Sequence, residues 1–420
     1  MAVIEALNVV VAVLALPVCA WAVYLAALAL LSSEVPPPPV QGPPSMRFDI
    51  VVPAHDEQGG IAATVRSLMA VDYPAELRRV IVVADNCSDP TAERAAEAGA
   101  SVLVRADPER RGKGYALGFA FERSLAEGAA DAVVVVDADS TVTQNLLGAF
   151  EARFRAGAPA VQAEYAVANR EASWRTRLMH IGFTLFHDVR SRARERLGVS
   201  AGLRGNGMGF AATTLRDVPH QAYSIVEDVE YGIRLGMAGH RVVYAGEAKV
   251  FGEMVASEKA SRSQRRRWEG GRWGLARRHA GKLLAGGLSR PSLLLLDLAA
   301  DLLVPPLTYV VLAAVVGAGA AAAWVLSGRG AWWALFPWAL ALGCLATYVA
   351  RGLWLAKVGP RGVLDLIWAP VYMVWKVILA LRPARGKKLT GSAATGAAGD
   401  GQEWVRTARD GEEPSSKVEP

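Results

Sequence analysis

Two aspartates at the end of an apolar run carry the strongest chemical signal in the chain. Asp137 and Asp139 follow residues 133–136, and four consecutive valines predict a buried central strand of a parallel sheet. Ligands bind at the carboxyl ends of the strands in open α/β sheets, so both carboxylates are expected at a binding edge. Such a D-x-D pair offers hard oxygen ligands for Mg²⁺ or Mn²⁺. The alternative is a solvated pair at a polar strand end.

Strands and helices alternate at short spacing around this pair. Strands are predicted over 48–53, 80–83, 101–104 and 241–244, and helices over 60–70, 91–98, 115–127, 174–197 and 225–237. The alternation in the first half predicts a Rossmann-like, doubly wound α/β domain with a mostly parallel sheet.

Apolar segments at both ends of the chain predict a membrane protein. The chain has 420 residues, of which 52% are hydrophobic, and a net charge of +6. Residues 6–31 are uncharged and exceed the ~20 residues that cross a bilayer. No basic residue precedes them, so we expect a retained transmembrane helix and not a cleaved signal peptide. A proline-rich spacer follows.

Three more apolar runs, 292–326, 331–356 and 363–381, follow the α/β domain. Basic residues in the domain and in the tail place both in the cytoplasm, which requires an even number of spans between them. One run is therefore expected to lie flat or re-enter. The predicted organisation is a transmembrane helix over 1–31, a linker over 32–46, the α/β domain with a basic interfacial helix over 47–285, membrane segments over 286–381 and a basic, then disordered, tail over 382–420.

Six motifs occur along the chain in a fixed order. They are V-V-P-A-H-D-E, A-D-N-C-S-D, R-G-K-G, D-A-D, V-E-D and Q-R-R-R-W. Each is weak alone, but together, in this order and strand context, they resemble the inverting family 2 glycosyltransferases with a GT-A fold. The membrane-embedded branch of that family includes the cellulose, chitin and hyaluronan synthases. The resemblance covers residues 48–273.

The resemblance implies a nucleotide-sugar donor, with a UDP-sugar favoured, and a bound Mg²⁺ or Mn²⁺. It assigns the metal to Asp139 and Asp137. It assigns donor binding to Pro53, Ala54, His55, Glu57, Asp85, Lys113, Asp137, Gln264, Arg267 and Trp268. Within this set Arg267 can bind a diphosphate in a bidentate manner, and Trp268 offers a flat face to a sugar ring. From spacing alone, Asp85 could equally form an Asx-turn, and Lys113 could be a solvated loop residue.

The resemblance also implies that Asp228 is the base that deprotonates the acceptor, with Glu227 in support. Without that context, an acidic pair at a helix start is often a cap that complements the helix dipole. The arginines around Trp268 fit a cytoplasmic interfacial helix near anionic headgroups. Nucleic acid is not expected as a partner, because no nucleic-acid-binding fold signature accompanies them.

The expected function is sugar transfer to a glycan or lipid acceptor in the cell membrane, with processive polysaccharide synthesis favoured over a single transfer to a lipid. Subunits of an export or biosynthesis complex are possible partners. An inactive scaffold subunit is the alternative from another class, although the five residues Asp137, Asp139, Asp228, Arg267 and Trp268 argue against it. Residues 206–209 and 251–255 depart from the acceptor and gating patterns of the synthases, and residues 404–407 resemble a tail motif without a known mechanism.

Overall fold

The computed structural model describes residues 2–40, 42–254 and 258–381. Side chains at 258–269 and at most positions of 375–381 lie outside the described residues. The strands, in chain order, are β1 (Phe48–Ala54), β2 (Arg78–Asp85), β3 (Ser101–Arg105), β4 (Ala132–Val135), β5 (Ser140–Val142), β6 (Ala160–Val167), β7 (Met208–Ala211) and β8 (Val242–Gly252).

Helices precede, connect and follow these strands. The first ten are α1 (Ala2–Leu14), α2 (Leu16–Leu31), α3 (Ile61–Met69), α4 (Thr91–Glu97), α5 (Lys113–Glu127), α6 (Leu146–Arg155), α7 (Trp174–Phe183), α8 (Arg190–Arg196), α9 (Ala212–Asp217) and α10 (Glu227–Met237). The others are α11 (Glu258–Ser289), α12 (Leu293–Leu303), α13 (Leu307–Leu326), α14 (Phe336–Ala356), α15 (Gly359–Asp365) and α16 (Ala369–Leu381). A π-helical turn, Thr184–Val189, joins α7 to α8.

All eight strands form one sheet in the order β3-β2-β1-β4-β7-β6-β8-β5. The first four strands are parallel, which confirms the predicted mostly parallel α/β fold. The second half is mixed, because β7 runs antiparallel to β4 and β6, and β5 runs antiparallel to β8. Sequence reading missed β6 and α6, and it ended the strand near Tyr244, whereas β8 continues to Gly252.

Both faces of the sheet are covered, as the apolar sequence of the central strand requires. Val134 packs with α3 residues such as Leu68 on one face, and Val133 packs with α5 residues such as Leu117 on the other. All of these side chains are fully buried. The burial of β4 on two faces explains why it consists of one alanine and three valines and why polar residues begin only beyond its end.

Three helical segments are long and apolar enough to cross a membrane, among the residues that the structure describes. They are Ala2–Leu31, Leu307–Leu326 and Trp332–Ala356. The predicted span over 6–31 is thus a longer segment, broken at Ala15, with Pro17 in the first turn of the second helix. In the run 292–326, α12 is a separate helix ahead of the span, since Pro305 and Pro306 interrupt the helix there. The last predicted run, 363–381, is divided between two shorter helices.

The helices α2 and α14 pack together through polar as well as apolar contacts. The Cys19 thiol donates to the Pro337 carbonyl oxygen at 2.8 Å. At the other end of α2, the Arg351 guanidinium donates to the hydroxyl and carbonyl oxygens of Ser32, at 2.8 and 2.9 Å. The first residue of the proline-rich linker is therefore bonded to α14.

Helix α5 approaches the backbone of another segment so closely that its first turn requires glycine. A Cβ atom added at Gly114 would lie 2.2 Å from the Ala222 carbonyl oxygen. One turn later, a Cβ at Gly118 would lie 3.8 Å from the His220 ring, which is an ordinary contact. This close approach places Lys113 at the carboxyl edge of the sheet.

We expect Gly114→Ala to destabilise the protein and Gly118→Ala to leave its stability unchanged or raised. Alanine favours a helix over glycine by about 1 kcal/mol, but the clash at Gly114 costs about 1–3 kcal/mol. Thermal unfolding of the two detergent-solubilised variants would check this. Equal unfolding temperatures for both would contradict the close approach at Gly114.

Candidate active site

The ammonium group of Lys113 is the centre of a polar cluster at the carboxyl edge of the sheet. It lies 2.5 Å from Asp137 Oδ1, 2.5 Å from the Gly205 carbonyl oxygen and 3.6 Å from Glu227 Oε1. Burial alone would lower the pKa of Lys113, but the nearby carboxylates, Asp137 first, raise it above its usual value. A charged lysine therefore joins two acidic motifs that are far apart in sequence.

The acidic pair at the start of α10 lies beside this lysine. The Glu227 side chain is 10% exposed, and burial raises its pKa to about 7. Burial likewise raises the pKa of Asp228, which is half-buried and so more open to a ligand. A Cβ atom built on Gly205 would lie 3.4 Å from Asp228 Oδ2, so this carboxylate faces the loop before β7.

Asn206 positions the D-x-D turn, a role that sequence reading missed. Its side chain is fully buried, accepts from the Asp137 N–H at 3.1 Å and donates to the Ser140 hydroxyl at 2.7 Å. The Gln162 side chain in turn donates to the Asn206 carbonyl oxygen at 2.7 Å. Positive φ angles at the glycines on either side allow the chain to make this turn. That G-N-G pattern was the available signal.

The strand order reverses between β1 and β4, beside the D-x-D turn, and the topology predicts a ligand crevice there. The ladder between these strands ends at Val51 and Val135, whereas the ladder between β1 and β2 continues to Ala54 and Ala84. Pro53 and Ala54 are buried, so only their backbone is placed to meet a ligand. The crevice lies where the strand order reverses, which is the usual ligand position in open α/β sheets.

Asp85 lies on the other side of this switch point, at the end of β2. Its carboxylate is fully buried, and Oδ1 accepts from Arg105 at 2.6 Å. Oδ2 is buried without a hydrogen-bond partner. The His55 Nδ1 lies 2.8 Å from the Asp85 carbonyl oxygen, and the Glu57 N–H donates to the Thr91 hydroxyl, so the ends of β1 and β2 are held together. An unpaired carboxylate oxygen in a crevice can accept a hydrogen bond from a nucleotide base.

The predicted metal ligands have the chemistry of a divalent-cation site. Asp139 is exposed, the Asp137 side chain is 28% exposed, and both are carboxylates at the same strand end. Burial, with Asp139 also contributing, raises the pKa of Asp137. A second group, Asp56, Cys87 and Asp89, also places ligand atoms within 4.8 Å of one another. There, however, the aspartates accept from Ser88, Thr91 and Gln58 and so organise the turns after β1 and β2.

The remaining predicted donor residues, Gln264, Arg267 and Trp268, fall on α11. Their side chains lie outside the described residues, so their assignment stays a prediction. The structure brings Lys113, Asp137, Glu227 and Asp228 into one cluster, with Asp85 and His55 across the crevice.

Comparison with known proteins agrees with this architecture. A family model described as "Glycosyltransferase like family 2" matches residues 43–271, more than half of the chain. The chain belongs to glycosyltransferase family 2. The mannosyltransferase PcManGT from Pyrobaculum calidifontis, solved in complex with GDP-Man and Mn²⁺, is similar in structure with a TM-score of 0.54. The similarity covers 89% of this chain and 99% of that one at 19% identity, and so supports the shared fold.

Two curated proteins are also similar to this chain in sequence. The beta-monoglucosyldiacylglycerol synthase of Synechocystis sp. is 30% identical over 265 residues, 60% of this glycosyltransferase and 54% of that protein. The probable glycosyltransferase YdaM of Bacillus subtilis is 26% identical over 235 residues, 54% of this chain and 55% of that protein. The chain thus spans about half the length of these relatives.

We expect Asn206→Ala to weaken binding of UDP in the presence of Mn²⁺ by about tenfold. Loss of the side chain leaves the Asp137 N–H and the Ser140 hydroxyl without their partners, at a cost of about 1–3 kcal/mol. Calorimetric titration of the purified protein would measure this. The control is Asn145→Ala, because the Asn145 side chain is exposed and donates to the Glu247 carbonyl oxygen. Equal affinities in the two variants would contradict the positioning role of Asn206.

Proposed function

We propose that this family 2 glycosyltransferase moves a hexose, with inversion, from a nucleotide-sugar donor to the hydroxyl group of an acceptor held at the membrane surface. The observation that carries this proposal is the convergence of the D-x-D turn, Lys113 and Asp228 on one side of a crevice at the switch point of the sheet. Asp85 lies on the other side, with an unpaired carboxylate oxygen for the base.

The chain's own residues can carry the chemistry in one displacement. Asp228 takes the proton of the acceptor hydroxyl, and the acceptor oxygen forms a bond to the anomeric carbon as the bond to the diphosphate breaks. The electron pair of that bond leaves with the nucleoside diphosphate. Raised pKa values suit the acidic pair to accepting a proton, because a stronger base removes it more readily. Lys113 places a positive charge and Glu227 a second carboxyl group beside this base.

A divalent cation fits the same arrangement. Asp139 and Asp137 would hold Mg²⁺ or Mn²⁺, which supplies positive charge to the diphosphate of the donor. Lys113 can add to that charge from the opposite side of Asp137.

A membrane-held lipid acceptor agrees with the surroundings of the base better than a soluble one does. Arg204 is the neighbour of Gly205 in the chain, and its charge acts on both Asp228 and Asp301 of α12. The Synechocystis relative is named for a glucosylated diacylglycerol. We therefore favour a single transfer to a lipid, and polysaccharide synthesis becomes the second candidate. We place the catalytic domain in the cytoplasm and the enzyme in the cell membrane.

The transfer reaction is tested by a donor screen with membranes that contain the full chain. Incubation with radiolabelled UDP-sugars and GDP-mannose, followed by lipid extraction and mass analysis, should give a lipid carrying one added hexose. A labelled polymer would instead support polysaccharide synthesis. No turnover with any donor would favour the scaffold alternative.

We expect Asp228→Asn to bind UDP like the wild type and to lose transfer by ~10²–10⁴-fold, the usual effect of removing a general base. The matched control is Glu230→Gln in the same helical turn, where the carboxylate accepts from the Ser224 N–H. A role limited to the helix dipole would give similar small effects in both variants. If Asp228→Asn lost UDP binding together with activity, its role would be structural.

Removal of the divalent cation by a chelator should distinguish the metal's role in donor binding from the role of Asp228 in proton transfer. We expect EDTA to abolish turnover and added Mn²⁺ or Mg²⁺ to restore it. Asp139→Asn should weaken UDP binding only when the metal is present. Full turnover in EDTA-stripped membranes would show that Asp139 does not hold a required cation.

A further inference from the structure

A second charged cluster lies beyond the proposed base, between the catalytic domain and the membrane helices. We define the arginine cluster as Arg190, Arg194, Arg204 and Arg272, with the partner carboxylates Asp297 and Asp301. Its members come from α8, the loop before β7, α11 and α12. The catalytic scheme above uses none of these residues.

The cluster surrounds one aromatic ring on the π-helical turn. The guanidinium carbons of Arg204, Arg190 and Arg272 lie 4.4, 4.9 and 5.5 Å from the centre of the Phe186 ring. π-Helical turns are rare and often mark functional sites. Three cations around one ring repel one another, and the arrangement is stable only when anions balance them.

The described carboxylates do not balance this charge. Asp301 accepts from Arg190, Arg194 and Arg272 at 3.0, 2.7 and 3.1 Å. Asp297 pairs with Arg194 at 3.1 Å, and Asp228 is the other carboxylate on which Arg204 acts, so four guanidinium groups face three carboxylates. Arginine keeps its charge in proteins, so the excess is positive.

Arg204 is the member of the cluster with the fewest described partners. It is 6% exposed, its Nη2 donates to the Ala201 carbonyl oxygen at 3.0 Å, and its Nε is buried without a hydrogen-bond partner. Burial and the other arginines lower its pKa to about 10, the direction expected of a cation among cations. A buried, unpartnered guanidinium N–H in an electropositive cluster is suited to bind an anionic oxygen.

The position of the cluster indicates which anion it would bind. On one side, Arg204 adjoins Gly205, which faces the Asp228 carboxylate. On the other side, Arg194 donates to the Tyr24 hydroxyl of α2, and Arg190 donates to the Tyr348 hydroxyl of α14. Both helices belong to the candidate membrane spans. An anionic group here would thus have the base next to it and apolar helices behind it.

We propose that Arg204, with Arg190 and Arg272, binds the phosphate of an amphiphilic acceptor lipid, so that the acceptor class is a phosphate-bearing lipid. That this lipid is the acceptor rests on the proposed function, whereas phosphate binding at the arginine cluster can be tested by binding alone. Bidentate guanidinium groups around Phe186 suit the tetrahedral, doubly charged head of such a lipid.

The test uses the full chain in a neutral detergent and two probes that differ only in the phosphate, dioctanoyl phosphatidic acid and dioctanoylglycerol. We expect the phosphatidic acid to bind at least about tenfold more tightly, as charge-assisted hydrogen bonds predict. Arg204→Met should remove that preference, since methionine retains the packing on Phe186 without the charge. Arg196→Met is the matched control, because Arg196 is exposed, belongs to the same helix as Arg190 and Arg194, and bonds Ser33.

Four outcomes would overturn the phosphate-lipid site. They are equal binding of the two probes, an unchanged preference in Arg204→Met, inorganic phosphate binding as tightly as the phosphatidic acid, and loss of UDP binding in Arg204→Met. The last would assign Arg204 to the donor. An unchanged unfolding temperature in Arg204→Met excludes misfolding as the cause of lost binding. Probe binding without turnover on any donor would support this site and overturn the proposed transfer reaction.

Discussion

The ammonium group of Lys113 is held at the point where the two acidic motifs of the candidate active site meet. Without its charge, Asp137, Glu227 and Asp228 would be three nearby carboxylates in a poorly solvated crevice, and their repulsion would raise their pKa values further. The lysine can occupy this place only because Gly114 lets α5 approach the backbone at Ala222. The packing of α5 thus sets the electrostatics of the site. The geometry of the D-x-D turn depends on this packing and on the charge of Lys113.

The catalytic half of the sheet could be read from the sequence because each element there has a local signal. Buried parallel strands consist of uninterrupted β-branched residues, and polar residues follow where they end, as in 133–139. Glu227 begins its helix as expected. The family resemblance named Lys113, Asp137, Glu227 and Asp228 as site residues, but the contacts of Lys113 with Asp137 and Glu227 became visible only in the structure.

The parts that the sequence did not disclose depend on contacts between distant segments. Asn206 acts through hydrogen bonds to Asp137 and Ser140, about seventy positions away, and an asparagine between glycines is otherwise an ordinary turn. The π-helical turn has the same apolar spacing as the α-helices beside it. The Arg–Asp contacts of α8 with α12 join residues over a hundred positions apart. Strands β5 to β7 and the second half of β8 were obscured because their pairing is mixed and β5 is short.

The close pairing of α2 with α14 has a consequence for how the protein is made. Asn8 and Cys19 are synthesised more than 300 residues before their partners, Trp324 and Pro337. On the proposed membrane placement, the Cys19 thiol and the Asn8 amide oxygen lie in the bilayer and lack these partners until α13 and α14 have been synthesised, which is unfavourable in hydrocarbon. The α/β domain, whose contacts are shorter in range, can be complete by then. Closure of the membrane bundle is therefore expected to be the last step of assembly, and a nascent chain stalled before α14 would offer its first helix to other proteins that insert or degrade membrane segments.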